Sequence, residues 1–422
     1  MAGYAARVSV FYAALFLIYG VHLPYLPVWL EWRGLSAFEI GIVTSLPFFL
    51  RLLATPALAY LADRSGDHAR MILTLSWVGL AAALVLSQTT GFWPILLAAL
   101  ALALATFTVM PLTETIAIGG VRRGLDYGRM RLWGSLTFIA ASFAGGAAVD
   151  LAGGGTGIWL IVGGCALTVA AAYVLPPPLV HAAPAAVREA VEPADMLEPA
   201  PEVGRPRRGI DRALVLRLAK HPLFLLFLLA IGTVQAAHAT FYTFGAIHWR
   251  ASGLSSSWVG ALWAIGVLAE VSLFAVSGAV VRRLGALTLM IAGAVAAVVR
   301  WVVMSVDPPL AALIPLQVLH GLTYGASHLG AIHFIGKAVP EAAGGTAQAF
   351  YATIASGVFQ GAATLISGLL YARFGGGAYL AMAAIALVGV AAAVALARSW
   401  NGGALWSGEE AAADTAGEVA RH

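Results

Sequence analysis

The chain has 422 residues, of which 60% are hydrophobic and only 10% are charged, with a formal net charge of +4. Soluble domains carry about 25% charged residues, so this composition cannot cover the surface of a soluble enzyme, a nucleic-acid-binding protein or a disordered scaffold. The charges are also unevenly placed, because 13 of the 44 Asp, Glu, Lys and Arg residues lie in 181–220 and 5 lie in 401–422. Cys165 is the only cysteine, which excludes an internal disulfide and a cysteine metal cluster.

Long apolar stretches make up most of the chain. A bilayer core needs about 20 apolar residues for each helical span. Twelve such stretches occur, at 8–30, 38–62, 70–88, 93–119, 129–150, 157–176, 221–249, 257–281, 285–304, 308–336, 345–372 and 376–398. They predict an all-α membrane protein with twelve transmembrane helices.

The basic residues in the loops predict the orientation. If the N-terminus is cytoplasmic, 19 Lys and Arg residues lie inside and 4 lie outside, namely Arg33, Arg250, Arg300 and Arg373. Cytoplasmic loops carry an excess of Lys and Arg. We therefore expect both termini inside, in the inner membrane of a bacterium.

A segment rich in Pro, Ala and charge interrupts the apolar pattern after the sixth stretch. Such a composition is typical of a flexible linker. It divides the chain into a six-helix bundle at 1–176, a cytoplasmic linker at 177–220, a second six-helix bundle at 221–400 and a cytoplasmic tail at 401–422.

The two bundles share an internal repeat. The 33-residue segment from Gly34 to Gly66 aligns without a gap on the segment from Gly253 to Gly285, with both segments beginning Gly-Leu-Ser. In this register Arg51 aligns with Glu270. Repeated bundles with binding sites near the membrane midplane are typical of secondary transporters.

Several motifs resemble those of the major facilitator superfamily. The segment YLADRSG at 60–66 is similar to the cytoplasmic loop motif of that superfamily, with its usual leading glycine replaced. A closer resemblance is to the phenylpropionate permease branch, which is related to the lactose-type proton symporters. It rests on YGRMRLWGS at 127–135, IHW at 247–249, LWA at 262–264, Glu270, LHGLT at 319–323 and QAFY at 348–351.

Two ionisable residues lie in the middle of apolar stretches, where charge is costly and therefore indicates function. Arg51 keeps its charge and its planar fork matches a carboxylate, so it either binds an anionic substrate or forms a permanent structural ion pair. Glu270 loses water on burial, which favours the protonated form of a carboxyl. It is therefore either the proton carrier or a constant partner of a cation.

Glu114 and Arg131 have similar predicted depths on the fourth and fifth stretches. Their positions resemble the substrate-contacting Glu–Arg pair of the lactose-type permeases, which implies a role in the cavity. The alternative is a cytoplasmic gate or a structural salt bridge.

A polar stripe follows one face of the tenth stretch, at 100° per residue. Its members are Gln317, His320, Tyr324 and His328. In the lactose-type pattern a protonatable Glu follows the Leu-His pair, but here that place holds Thr323, so Glu270 must do more of the proton transfer, alone or together with His320. Arg300 resembles another member of that relay, although snorkelling to the interface is an equal alternative.

Aromatic residues on the first and seventh stretches favour a flat substrate with an apolar body. Tyr19, His238 and Tyr242 are the best candidates for contact with it.

These patterns predict a proton-coupled symporter of a small organic anion, such as the aromatic monocarboxylate 3-phenylpropionate, working by alternating access. The alternatives are a proton-coupled carrier of a sugar or nucleoside, a drug/proton antiporter, or a sensor without transport. We expect no enzymatic activity, no metal and no cofactor besides the proton. The expected partners are a small-molecule substrate and the lipid bilayer, without nucleic acid, and the expected functional unit is a monomer.

Overall fold

The computed structural model describes residues 2–176 and 212–406, and all the elements in these two ranges are helical. Residues 177–211 of the predicted linker and residues 407–422 of the predicted tail lie outside the described residues.

The first half contains six long helices. They are α1 (Ala2–Trp32), α2 (Ala37–Ser65), α3 (His68–Gln88), α4 (Phe92–Val121), α5 (Tyr127–Ala152) and α6 (Thr156–Val174). Local sequence sets several of the ends. Ser36 and Glu39 form a reciprocal capping box at the start of α2, and Gly66 ends that helix in a left-handed conformation with φ 68°.

The second half is divided into shorter helices. They are α7 (Arg212–Lys220), α8 (Pro222–Ala236), α9 (Ala239–Ala251), α10 (Ser256–Ala275), α11 (Ser277–Leu284), α12 (Ala286–Met304), α13 (Leu310–Val318), α14 (Ser327–Ala338), α15 (Glu341–Phe350), α16 (Gln360–Phe374) and α17 (Ala378–Ser399). Two π-helical segments, at Gly321–Ala326 and Tyr351–Phe359, join α13 to α14 and α15 to α16. Wider π turns of this kind are frequent at functional sites.

The prediction of twelve spans is confirmed. Ten helical stretches of the described chain are long and apolar enough to cross a membrane, and the one at Glu341–Ser399 has 59 residues. This last stretch holds two spans, because a tight turn at Gly375–Gly377 divides it. The interrupted helix from α13 to α14 supplies the remaining span. Most of the predicted boundaries lie within about four residues of the observed ones, whereas α1 begins at Ala2 instead of residue 8.

The two halves pack against each other through α1, α2 and α5 on one side and α9, α10 and α16 on the other. The Tyr25 hydroxyl joins them, because its single proton is shared between the carbonyl of Ser142 at 2.8 Å and that of Ser256 at 3.0 Å. Glycine is required here, since a Cβ on Gly260 would lie 2.1 Å from the Ser142 oxygen. We call this region, around Tyr25, Ser142, Ser256 and Gly260, the closed end.

A carboxylate reinforces the closed end. Asp150, at the end of α5, accepts hydrogen bonds from the backbone N–H groups of Ser256 and Ser257 at 2.7 and 2.8 Å, and from the Ser257 hydroxyl at 2.7 Å. It therefore caps α10 of the opposite half, where a negative charge is favoured by the helix dipole. The opposite end of the molecule, with Arg64, Arg122 and Arg282, is called the basic end.

The second half is tied together at the basic end by the segments that flank its helices. Leu214 and Leu218 of α7 are buried, as is Trp406 near the end of the described chain. The backbone N–H of Leu405 donates to the carbonyl of Ala338 at 2.7 Å. Residues 212–220 and 401–406 thus pack on the second bundle, and the predicted domain boundaries at 220 and 400 stay predictions.

Candidate functional site

Arg51 lies near the middle of α2 and is half-buried. One of its terminal nitrogens donates to the carbonyl of Ser356, in the second π-helical segment, and its guanidinium lies 4.9 Å from the ring centroid of Phe48 and 5.8 Å from that of Phe107. Within the described residues it contacts no carboxylate. The alternative of a structural ion pair therefore lacks its acidic partner in residues 2–176 and 212–406.

A cavity of about 90 Å³ adjoins Arg51 between the two halves. Phe48 and Phe107, the two rings beside the guanidinium, form part of its wall, together with residues of α1, α9 and α16. Apolar side chains and aromatic rings dominate the lining. We call this space the ring cavity.

Glu114 and Arg131 face each other between α4 and α5. The Nε of Arg131 lies 3.9 Å from Oε1 of Glu114, and the two side chains are 27% and 25% exposed. The Tyr127 hydroxyl donates to the other carboxylate oxygen at 2.7 Å. The Arg131 guanidinium also makes a cation–π contact, since it lies 3.9 Å from the ring centroid of Phe16. The loose pairing leaves both charged groups accessible to a solute.

Glu270 lies on α10 and faces the interrupted helix from α13 to α14, which carries His320. Its Oε2 is 3.7 Å from Nε2 of His320. On the other side of the imidazole, Nη1 of Arg300 lies 3.1 Å from Nδ1 of His320. Because a guanidinium only donates, Nδ1 accepts, and the proton of the neutral ring is placed on Nε2, facing Glu270.

Arg300 is completely buried, so it does not snorkel to the interface. Its neutral partners are the Gln317 side-chain oxygen, at 2.6 Å, and the Thr323 hydroxyl, at 3.3 Å, besides His320. Thr323 stands 3.0 Å from Nε2 of His238, whose Nδ1 lies 3.0 Å from the carbonyl of Val234. A carbonyl only accepts, so His238 donates from Nδ1 and accepts from Thr323. The network therefore fixes the tautomers of both histidines.

The remaining predicted residues fall into two groups. Tyr324 lies between the stacked rings of His320 and His328, with centroids 5.5 and 6.0 Å away. Tyr242 lines the ring cavity and stacks on His238. In contrast, Gln317 and His238 are fully buried and support Arg300 from inside the second half.

Tyr19 is held by the first half, because its hydroxyl donates to the carbonyl of Thr106 at 2.8 Å. Sequence reasoning missed several contacts of the charged residues, namely Phe16 at Arg131, Tyr127 at Glu114, and Phe48 and Phe107 at Arg51. Phe48 lies three residues before Arg51 on the same helix, a spacing that could have indicated the contact. The others depend on how separate helices pack.

Residues 5–381 match the MFS_1 like family. The chain belongs to this family. Among its relatives, the probable 3-phenylpropionic acid transporter of Escherichia coli (strain K12) is 30% identical over 387 residues, which cover 89% of this chain and 93% of that protein. The maltose permease of Geobacillus stearothermophilus is 27% identical over 402 residues, covering 94% and 96%.

The fold of this MFS_1 like family member is also found among solved structures. The crystal structure of the nucleoside transporter NupG superposes with a TM-score of 0.76 at 17% identity, covering 94% of this chain and 99% of that one. At this identity the likeness concerns the fold alone. Fold and relatives together identify an integral, multi-pass membrane transporter with a small-molecule substrate.

Proposed function

We propose that this MFS_1 like family member is a proton-coupled symporter of a small organic anion, specifically an aromatic monocarboxylate such as 3-phenylpropionate, and that it works by alternating access as a monomer in the bacterial inner membrane. The observation that carries the proposal is Arg51. A guanidinium near the middle of a membrane helix, hydrogen-bonded to a carbonyl and without a carboxylate among its described contacts, keeps donors that match a carboxylate ligand.

The charge balance of the central region supports an anionic substrate. Within the described residues, three intramembrane arginines stand against two carboxylates, a set made up of Arg51, Arg131, Arg300, Glu114 and Glu270. Isolated charges are costly in a medium of low dielectric constant. An anion that enters the cavity offsets the excess positive charge, whereas a neutral solute leaves it unchanged.

The proton is assigned to Glu270. Its carboxylate lies beside a neutral imidazole, and the nearest cation of that network, Arg300, is turned towards the far side of the ring. A carboxyl without a bound cation can exchange its proton as access to water changes. Glu114 differs, since it accepts a hydrogen bond from Tyr127 and lies beside the cation of Arg131.

A neutral solute is the second candidate, because Glu114 and Arg131 are partly exposed and can hydrogen-bond hydroxyl groups. A maltose permease among the relatives agrees with this alternative. In that case Arg51 is a structural residue, and its charge has no role in binding.

The first prediction distinguishes the two candidates by equilibrium binding to the purified protein. Arg51→Gln should weaken the binding of 3-phenylpropionate about 10- to 150-fold, since a hydrogen bond to a charged group is worth about 1.5–3 kcal/mol. Arg51→Lys should restore part of the affinity, because it returns the charge without the planar fork.

The matched control is Arg33→Gln. Arg33 also donates to a backbone carbonyl and lies over two aromatic rings, but near the end of α1. The Arg33→Gln variant should leave the affinity for 3-phenylpropionate unchanged. If the wild type binds the uncharged 3-phenylpropionamide as well as the acid, or if Arg51→Gln binds the acid normally, the organic-anion proposal fails and the neutral solute takes its place.

A further inference from the structure

The ring cavity shares two of its wall residues with the surroundings of Arg51, the proposed ligand of the carboxylate. Phe48 and Phe107 each have one contact with the Arg51 guanidinium and also form part of the cavity wall. Arg51 itself is not part of the cavity lining, so these two rings are the link between the guanidinium and the cavity.

The wall of the ring cavity suits an aromatic ring. Beyond the two phenylalanines it includes Tyr242, Leu26 and Ala103. Offset and edge-to-face contacts between rings contribute about 0.5–1.5 kcal/mol beyond the burial of area. His22 also faces the cavity, and no described residue forms a hydrogen bond with its imidazole.

The size of the ring cavity limits its occupant. A cavity of about 150 Å³ lined by apolar side chains holds benzene, whereas this one measures about 90 Å³. The cavity is therefore smaller than one that holds benzene, so a single flat ring enters only when side chains of the wall move apart. A disaccharide, which is larger and surrounded by hydroxyl groups, does not fit.

We infer that the ring cavity between α1, α2, α4, α9 and α16 is the subsite for the aromatic ring of an arylalkanoate, and that Ala103 and Phe107 set the size of the ring that is accepted. This inference rests on the proposed function and adds where the apolar part of the substrate binds. The carboxylate binds Arg51, and the alkyl linker passes between Phe48 and Phe107.

The experiment measures equilibrium binding to the purified full-length protein with three ligands: 3-phenylpropionate, 3-(2-naphthyl)propionate and hexanoate. Ala103→Leu fills the cavity and should weaken 3-phenylpropionate binding about tenfold or more, because overpacking a filled site costs about 1–3 kcal/mol. Hexanoate, whose flexible chain can leave the cavity, should lose much less. The matched control is Ala101→Leu, on the opposite face of α4 and only partly buried, which should leave both affinities unchanged.

A second variant guards against loss of folding. Phe107→Ala enlarges the ring cavity, so the affinity for the naphthyl acid relative to the phenyl acid should rise at least several-fold, a gain that a misfolded protein cannot show. If the wild type binds 3-phenylpropionate through Arg51 but Ala103→Leu and Phe107→Ala leave ligand preference unchanged, the subsite is elsewhere and the symporter proposal stands. If the wild type binds none of the three acids, the proposed function itself is wrong.

Discussion

Three arginines in the membrane interior are stabilised in different ways. Arg300 is enclosed by Gln317, His320 and Thr323, all of them neutral. Arg131 lies on the Phe16 ring with a loosely placed carboxylate beside it. Arg51 donates to the carbonyl of Ser356 and lies near the rings of Phe48 and Phe107. A buried guanidinium without a carboxylate costs free energy unless its donors are satisfied. Both terminal nitrogens of Arg300 have acceptors, and its Nε has none among the described residues. Arg51 uses one terminal nitrogen on a carbonyl and keeps donors for a ligand.

The second prediction concerns Glu270 at the proposed proton site. Glu270→Gln mimics a permanently protonated side chain, so uptake driven by a proton gradient should collapse. Exchange of internal for external substrate should survive, because exchange requires no deprotonation. Both are measured in proteoliposomes, with Glu31→Gln, at the exposed end of α1, as the control that should accumulate substrate normally. Accumulation by Glu270→Gln at the wild-type level would remove Glu270 from the coupling mechanism.

For individual residues, the sequence predicts which charged side chains lie inside the membrane better than it predicts their contacts. Arg51 and Glu270 stand out because an ionisable residue interrupts an apolar stretch. The burial of Arg300 could not be predicted, since its position near a helix end fits the interface equally well. Its partners Gln317, His320 and Thr323 come together only where α13 passes into the π-helical segment.

Neighbouring helices in the first half are coupled by the contact between Glu114 of α4 and Arg131 of α5. The 3.9 Å separation and the partial exposure of both side chains make the pair weaker than a buried ion pair. Reversing one charge, however, places two like charges in contact in a region of reduced dielectric constant.

The third prediction follows from this contact. Glu114→Arg and Arg131→Glu should each lower the thermal unfolding midpoint and the yield, and the double reversal should recover part of the loss by restoring opposite charges. Recovery stays incomplete because the cation then no longer lies on Phe16. Arg129→Glu, a reversal at an exposed site of the same helix, is the control and should change the midpoint little. Additive losses in the double variant would show that the two residues are not coupled.

Element positions follow well from hydropathy, but interruptions within a span do not. The predicted polar stripe assumes a regular helix from Gln317 to His328. The structure instead has the π-helical segment Gly321–Ala326. His320, Tyr324 and His328 stack on one another, whereas the side-chain oxygen of Gln317 accepts from Arg300. Likewise, α8 ends at Ala236, before His238. A local widening of a helix leaves the overall apolar pattern intact, so periodicity does not reveal it.

The whole molecule is joined mainly at the closed end, and the interactions between halves extend inwards as far as Arg51 and Ser356. Asp150 contributes three of these hydrogen bonds from a single carboxylate. The alternating access proposed above requires these bonds to break when the molecule opens to the other side. Their strength therefore affects the equilibrium between the two conformations.

The fourth prediction weakens the closed end in steps. Ser257→Ala removes one hydrogen bond, and Asp150→Asn removes the charge together with at least one bond, so opening should become more frequent in that order. The larger step should be about tenfold or more, as expected for hydrogen bonds to a charged group. The measurement is the rate at which an impermeant maleimide, added from the predicted outer side of sealed right-side-out vesicles, labels Thr44→Cys in the ring cavity.

Native Cys165 is buried and should stay unlabelled. The unmodified chain is therefore the blank for this measurement. Equal labelling rates in Thr44→Cys alone and combined with Asp150→Asn would mean that the carboxylate does not hold the closed end together.

The division into two halves could be predicted at the scale of the molecule, because the repeat around Arg51 and Glu270 and the composition change after the sixth stretch are local sequence properties. The sequence does not predict which end of the molecule is closed. That depends on contacts such as Tyr25 with Ser256, between residues 231 positions apart, and no pattern within one helix specifies them.

The arginines in the membrane interior also place fixed charge inside the electric field across the membrane. Moving one elementary charge through a potential of 100 mV changes its free energy by about 2.3 kcal/mol. In the alternating-access cycle proposed above, the region of aqueous access shifts past Arg51 and Arg131, which is equivalent to moving part of that charge through the field. On this proposal the membrane potential biases the conformation of the empty carrier, even when substrate and proton cross together with no net charge.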